Sequence, residues 1–328
     1  MHPARTRAEY AGSVRVAFDA RPATDRRGIG RYTRSLLHAL KAHAASVGGE
    51  VVEQSRRGGV DVLHVPWIDG APLRPRGPIV VTLHDLVTLK RPGEFLRFGL
   101  RHRMRYLAVE RATRLIVPTH AVAEDAVALL KVNAGRVHVV HEAADAVFHP
   151  RPADEVASVR HRRQLPREYL LWVGGLRHPD PRKRVAALAE APRDLPLVLV
   201  GEPGQWAREL PGVILTGGVN DDELAALYSG ARALVFPSGD EGFGLPCVEA
   251  LACGTPVVAT DGPALREVLG DRASFVAPDD LEGLLAAAAR AERPAPDPVP
   301  WTWADAARET WRVYERAAAE ETSPRGRR

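Results

Sequence analysis

The sequence predicts an α/β chain made of two doubly wound parallel sheets. Three observations carry this reading. Short β-rich runs alternate with helical patterns along the first half, and the same alternation begins again in the second half. A proline-bearing polar stretch, FHPRPADEVAS at 148–158, separates the two series. A length of 328 residues suits two domains, and 45% hydrophobic residues supply apolar mass for two cores.

In the first half, VRVAFDA (14–20) reads as a buried strand. A glycine turn at Gly28-Ile29-Gly30 follows, then the helical stretch RYTRSLLHALKAH. Strand-like runs recur at 60–65, 78–84, 114–119 and 137–141, separated by helical patterns at about 95–112 and 121–131. The stretch between the glycine turn and DVLHVPW is short, so a strand–helix unit is expected to be missing there. In the second half, strands are expected at 169–175, 196–202, 213–218, 233–238 and 256–261, with helices at 183–191, 221–231, 246–253, 263–269 and 280–291. The proline-rich ERPAPDPVP (292–300) leads into the amphipathic WTWADAARETWRVYERAAAE and a polar tail, TSPRGRR, expected to be disordered. The expected division is 1–152, 153–300 and a terminal helix over 301–322.

The net charge of +4 is small for this length and gives no reason to expect nucleic acid. Its distribution is uneven. Residues 1–150 carry 23 Lys+Arg against 14 Asp+Glu, a net of +9, whereas the remainder carries 22 against 27, a net of −5. Two units with different partners are therefore expected. Cys247 and Cys253 stand six apart in one segment, a poor disulfide and no metal-ligand spacing, so they are read as reduced, buried side chains. No apolar signal core and no membrane-length apolar run occur, which makes the cytoplasm the expected location.

The most informative stretch is DEGFGLPCVEALACGTPVV, 240–258. It follows the strand-like ALVFPS. Pro246 suits a helix start, because the first helical amides need no partner there. Gly242 and Gly244 let the backbone approach a ligand, and the helix N-terminus adds positive potential, so the loop is built like a phosphate cradle. Glu241 and Glu249 flank it, and carboxylates accept well from vicinal hydroxyls. A diphosphate with hydroxyls on both sides has the form of a nucleotide sugar. On spacing alone the plainer reading holds: an acid in a helix's first turn is stabilised by the dipole, and Glu241 is a solvated loop residue.

The run E-G-F-G-L-P-x-x-E-A-x-A-x-G-x-P-V-V resembles the E-x7-E signature of retaining glycosyltransferases of the GT-B fold, specifically glycosyltransferase family four. FDARPATDRRGIGRYTRSLL, VTLHDLVTL, RLIVPTHAVAEDAV, WVGGLRHPDPRKR and TGGVNDDELAALYSGARALVFPS resemble further segments of that family, and the helix of Trp303 resembles the one that returns to its N-terminal domain. The resemblance implies two Rossmann-like domains facing across a cleft. It implies that Glu249 grips the ribose hydroxyls and Glu241 lies by the donor sugar. The amides of Phe243, Gly244 and Leu245 would meet sugar and phosphates. Arg177 and Lys183 would neutralise the diphosphate, with Arg182 as the alternative to Arg177. Val219 would meet the base through its backbone, and Gly28 and Gly30 would face the donor phosphates. His84 would line the reaction centre, with His64 a weaker candidate.

The implied reaction is hexose transfer with retention from a nucleotide diphosphate sugar to a hydroxyl acceptor, driven by positioning and by stabilisation of the leaving diphosphate. No D-x-D triplet occurs, so no metal is expected, and no cofactor beyond the donor. The GIGRYT and HDL segments look most like the mannosyltransferase branch, which makes GDP-mannose the first donor to test. The helical pattern over 95–114 sets Arg97, Arg101 and Arg105 along one stripe. It fits a solvated surface helix somewhat better than peripheral contact with an anionic membrane, and both readings stay open. A nucleotide-sugar epimerase, a phosphorylase and a non-catalytic nucleotide-sugar-binding subunit are the rival readings of the same motifs.

Overall fold

A computed structural model of the chain describes residues 14–25, 28–90 and 99–321, the side chains of 99–104 and 321 excepted. It divides into two compact units. One comprises Met1–Glu142 with Trp301–Arg328, the other Ala143–Pro300. Residues 143–152 lie with the second unit because they pack into it. Phe148 meets Tyr228 edge to face at 6.0 Å, and the Arg151 amide donates to Ser229 Oγ at 3.0 Å.

In the first unit β1 (Arg15–Phe18), α1 (Gly28–Val47), β2 (Glu50–Glu53), β3 (Val62–Val65) and β4 (Ile79–Thr82) are followed by α2 (Val87–Lys90), α3 (Gly99–Glu110), β5 (Arg114–Val117), α4 (His120–Leu130) and β6 (Val137–Val139). All strand pairs are parallel, in the order β2-β1-β3-β4-β5-β6. The order reverses between β1 and β3. The expected gap in this unit is therefore partly filled: β2 is present, and only a helix between β2 and β3 is missing. The returning stretch is pinned under β1 by Arg15. Its amide donates to Asp61 Oδ2 at 2.8 Å, and its guanidinium donates to the Gly59 carbonyl at 3.0 Å.

The second unit runs α5 (Ala153–Arg162), β7 (Leu170–Val173), α6 (Val185–Glu190), β8 (Leu197–Val200), α7 (Gln205–Arg208), β9 (Val213–Gly217), α8 (Asp221–Gly230), β10 (Ala233–Phe236), α9 (Leu245–Ala252), β11 (Val257–Thr260), α10 (Pro263–Leu269), β12 (Ala273–Val276) and α11 (Leu281–Ala289). Its parallel sheet has the order β12-β11-β10-β7-β8-β9, which reverses between β7 and β10. The central strands of both sheets are buried along their length, as expected of strands covered by helices on both faces. Their β-branched and leucine side chains form a core in each unit, around Leu63, Val81 and Leu115 in the first and Leu170, Leu197 and Val235 in the second.

The last helix, α12 (Trp303–Glu321), belongs to the first unit, where it packs on α1 and over β3, β4 and β5. Trp311 is 2% exposed and meets His43 edge to face at 5.8 Å. Tyr314 is fully buried, with its Oη 2.5 Å from His64 Nδ1. The basic stripe expected over 95–114 falls mostly outside the described side chains. Arg105 is described, and it pairs with Asp69 at 2.9 Å rather than standing free for an anionic surface. The tail 322–328 also lies outside the described residues. No helix among the described residues is long and apolar enough to cross a membrane.

Trp311→Ala should destabilise the first unit by about 3–5 kcal/mol, the usual cost of deleting a buried tryptophan. Urea unfolding followed by circular dichroism measures this. A loss below about 1 kcal/mol would mean that α12 is not part of that core.

Candidate functional site

In open α/β sheets ligands bind outside the carboxyl ends of the strands, where the strand order reverses. In the second unit that place is the pair of loops after β7 and β10. They are joined directly: the Gly239 amide donates to the Arg182 carbonyl at 3.1 Å. The β10 loop runs through Glu241 and Gly242 to Gly244, the N-cap of α9. Gly244 has φ +91°, a left-handed conformation that favours glycine, and a Cβ there would stand 2.7 Å from Leu265 Cδ2. Pro246 is the second helical residue rather than the first, still among the positions that need no amide partner. The amides of Gly244 and Leu245 take no hydrogen bond among the described residues. Phe243 and Leu245 are nearly buried, so the cradle is walled by apolar side chains.

Glu249 sits at the fifth position of α9, beyond the first turn, so the dipole reading of this acid loses its force. It is fully buried, and Tyr228 on α8 donates to its Oε2 at 3.0 Å. Sequence reasoning missed Tyr228, because no spacing rule links it to α9. Lys183 closes a 3-10 turn, Pro181–Lys183, after β7. Its Nζ lies 5.9 Å from the Trp172 ring centroid. A Cβ on Gly174, next to the end of β7, would be 3.3 Å from that ammonium, so the missing side chain lets Lys183 lie over the strand end.

The other basic residues behave differently. Arg177 is exposed, with no ion pair among the described residues. Arg182 is held by Asp180 through Nε and Nη2, at 3.0 and 2.8 Å. Burial alone would raise the Asp180 carboxyl, but the Arg182 hydrogen bonds and the charges of Arg182 and Lys183 hold it below the usual value. Val219 follows β9, just before Asn220 caps α8 by accepting from the Glu223 amide at 2.8 Å. From β10 through β7 and β8 to β9 the loop ends form one row three strand spacings long, about 14 Å.

In the first unit, Gly28 and Gly30 are not a loop before a helix but the first turn of α1 itself. A Cβ on Gly30 would fall 1.7 Å from the Asp25 carbonyl oxygen, so close backbone packing by itself requires glycine there. His64 is fully buried, with Nε2 2.8 Å from Thr82 Oγ1 and Nδ1 against Tyr314. Burial and the neighbouring His84 push its pKa down to about 3. It is a core residue and lines no ligand crevice.

His84 lies after β4, with Nδ1 3.0 Å from Glu142 Oε1 and Nε2 3.0 Å from the Pro66 carbonyl. Both partners accept, so both ring nitrogens donate and neither is left as a base. Burial opposes the charged ring. The hydrogen bond and charge of Glu142, the Pro66 carbonyl and the Asp85 charge outweigh it and hold the pKa above the ordinary histidine value. Cys247 and Cys253 are free and buried, as the sequence suggests. A groove of about 700 Å³ on the first unit, lined by Val127, His138, Val139 and Arg316, contains none of the candidate residues.

A histidine whose folded pKa is raised adds stability that is fully present below the unfolded value of about 6.5 and is lost as pH rises through the folded value. Urea unfolding between about pH 6 and pH 8 should therefore show the wild type losing more stability than His84→Gln. Equal slopes in the two proteins would show that the ring is not charged in the fold.

The family model described as "Glycosyltransferase Family 4" matches residues 13–148, and that described as "Glycosyl transferases group 1" matches residues 167–292. The chain is 28% identical over 233 residues to O-antigen chain mannosyltransferase B of Escherichia coli, covering 63% of this chain and spanning only 59% of that protein. It is 31% identical over 310 residues to the MMP alpha-(1->4)-mannosyltransferase of Mycolicibacterium hassiacum, covering 80% of this chain and 72% of that protein. Among solved structures, a sucrose-phosphate synthase from Thermosynechococcus elongatus superposes with a TM-score of 0.65 at 20% identity, over 94% of this chain and 97% of that one. Taken with the two reversing parallel sheets, these matches make the chain a member of glycosyltransferase family 4, with the paired Rossmann-like units of the GT-B fold.

Proposed function

We propose that the protein is a retaining hexosyltransferase that takes its sugar from a nucleotide diphosphate sugar and passes it to a hydroxyl acceptor. The observation that carries this reading is the joined pair of loops at the reversal point of the second sheet. A helix start with open amides at Gly244 and Leu245 shares that place with the Lys183 ammonium. The row of loop ends suits the length of such a donor. The base lies by Val219, the diphosphate between α9 and Lys183, and the hexose by Glu241. Glu249, oriented by Tyr228, takes the ribose hydroxyls. Both curated relatives described above are named mannosyltransferases, which supports mannose as the hexose and GDP-mannose as the donor.

The chemistry then rests on electrostatics. As the sugar leaves, negative charge grows on the diphosphate. Lys183 and the α9 amides are fixed in advance to stabilise it, without a reorganisation step. The nearly buried Phe243 and Leu245 keep water from the cradle and strengthen those interactions.

GDP-mannose at about 100 times its dissociation constant should stabilise the protein by roughly 2.7 kcal/mol in a thermal-shift experiment. Glu249→Ala should lose that response, and an unchanged affinity in the variant would remove Glu249 from the ribose. Transfer should also survive exhaustive treatment with a chelator, since Lys183 and the helix start supply the positive potential. Loss of activity that returns with added divalent cation would overturn that part of the reading. Isomerised or hydrolysed donor without an acceptor would point to an epimerase instead.

A further inference from the structure

The first sheet also reverses its strand order, between β1 and β3, and the loops after those two strands carry a built cation. Asp19 follows β1 and is fully buried. Its amide donates to the His64 carbonyl at 2.9 Å, tying the ends of β1 and β3 together. Arg21 donates to it from the side, Nε to Oδ1 at 2.8 Å and Nη2 to Oδ2 at 2.6 Å. From the other loop, Trp67 Nε1 donates to Oδ2 at 3.5 Å, and the Arg21 guanidinium stands 5.8 Å from the Trp67 ring centroid.

That second loop is fixed on three sides. His84 donates to the Pro66 carbonyl, Asp69 pairs with Arg105, and Gly70 leaves room for Trp67. A Cβ on Gly70 would stand 2.3 Å from Trp67 Nε1 and 3.0 Å from Asp19 Oδ2. Burial by itself would raise the Asp19 carboxyl, but the hydrogen bonds and charge of Arg21 keep it low and ionised.

Stability does not explain this arrangement. Burying a carboxylate is costly, and its partner here is half in water, with an Arg21 side chain 56% exposed. A guanidinium has five N–H groups. Asp19 occupies the side edge, and the remaining three, including the whole Nη1 end, have no partner among the described residues. A buried acid thus holds an exposed fork in one orientation, with its end edge turned away from the carboxylate. That edge matches two oxygens of a phosphate or carboxylate.

We propose that Arg21, oriented by Asp19 and backed by Trp67, is an oxyanion subsite that binds a phosphate or carboxylate group of the acceptor. Assigning the anion to the acceptor rests on the transferase reading above; the subsite itself does not. An acceptor so bound is an anionic sugar or a lipid with a phosphate headgroup, and its charged group anchors it at the first unit's own reversal point. The acceptor's supply is then a phosphorylating or acid-forming reaction.

The test uses the full chain, saturated with whichever of GDP and UDP stabilises it in a thermal-shift experiment, so that the second unit's cradle is filled. The Arg21 Nε resonance is followed by nitrogen NMR, assigned by its loss in Arg21→Gln, while inorganic phosphate is added. In the wild type it should shift and saturate. Phosphate affinity, measured in parallel by phosphorus line broadening, should fall about tenfold in Arg21→Lys, which keeps the charge but loses the fork, and further in Arg21→Gln. Nucleoside diphosphate binding should be the same in all three proteins, which shows that the variants fold.

Equal phosphate affinity in wild type and Arg21→Gln, or no movement of the resonance at the solubility limit, would overturn the proposal. Failure to bind any nucleoside diphosphate would instead strike the donor reading alone. Two further arms separate the sources of the anion. Arg21-dependent sedimentation with phosphatidylinositol vesicles, absent with phosphatidylcholine, assigns a lipid headgroup. A KM for mannose 6-phosphate that is lower than for mannose, and rises in Arg21→Gln with kcat kept, assigns a free sugar phosphate.

Discussion

A parallel sheet whose strand order turns back on itself must open a crevice at its carboxyl edge, because the loops leaving the two strands at the turning point run to opposite faces. Both units of this chain obey that constraint, and almost everything of chemical interest sits at one of the two crevices. In the second unit the crevice holds an open helix start and an ammonium. In the first it holds a guanidinium. Neither sheet needs a special loop architecture to present positive potential. The topology makes the opening, and a few residues on the strand ends decide its charge.

The two crevices share a second device. In each, a fully buried carboxylate is held by a neighbour's hydrogen bond, Glu249 by Tyr228 and Asp19 by Arg21. A carboxylate out of water cannot be left alone, so each of these fixes the position of its partner as firmly as its own. Tyr228 and Arg21 are therefore rigid parts of the frame although neither lies in a strand. The same principle separates the two histidines. Burial presses His64, between Thr82 and Tyr314, toward its neutral form, whereas the carboxylate and carbonyl facing His84 favour its charged form.

Much of this was legible in the residues, for reasons that differ by element. Central strands such as PIVVTL and PLVLVGE are covered on both faces and read as unbroken apolar runs. The edge strands β2, EVVE, and β12, ASFV, are half solvated and carry polar residues, so they pass for loop. The helix α5 hides behind Pro150 and Pro152, and its sequence is polar on most sides. At the site, the glycine loop, Pro246 and the basic turn of Lys183 are local in sequence, and reading them locally places them together. The burial of Glu249 is not local. It depends on how α8 packs on α9, and nothing in the spacing of Tyr228 and Glu249 announces that register. The same holds for the histidines, whose deciding neighbours, Tyr314 and Glu142, stand far away along the chain.

The first unit is closed by a helix, α12, that stands after the whole second unit in the chain. Until α12 emerges, β3 and β4 hold His64 and Thr82 without the tyrosine that seals them, and α1 lacks the indole that covers its end. The second unit, by contrast, is one uninterrupted stretch, 143–300. Synthesis therefore runs opposite to closure: the domain begun first is finished second. Any nascent chain halted before Trp303 would display an open apolar sheet face to whatever chaperone meets it.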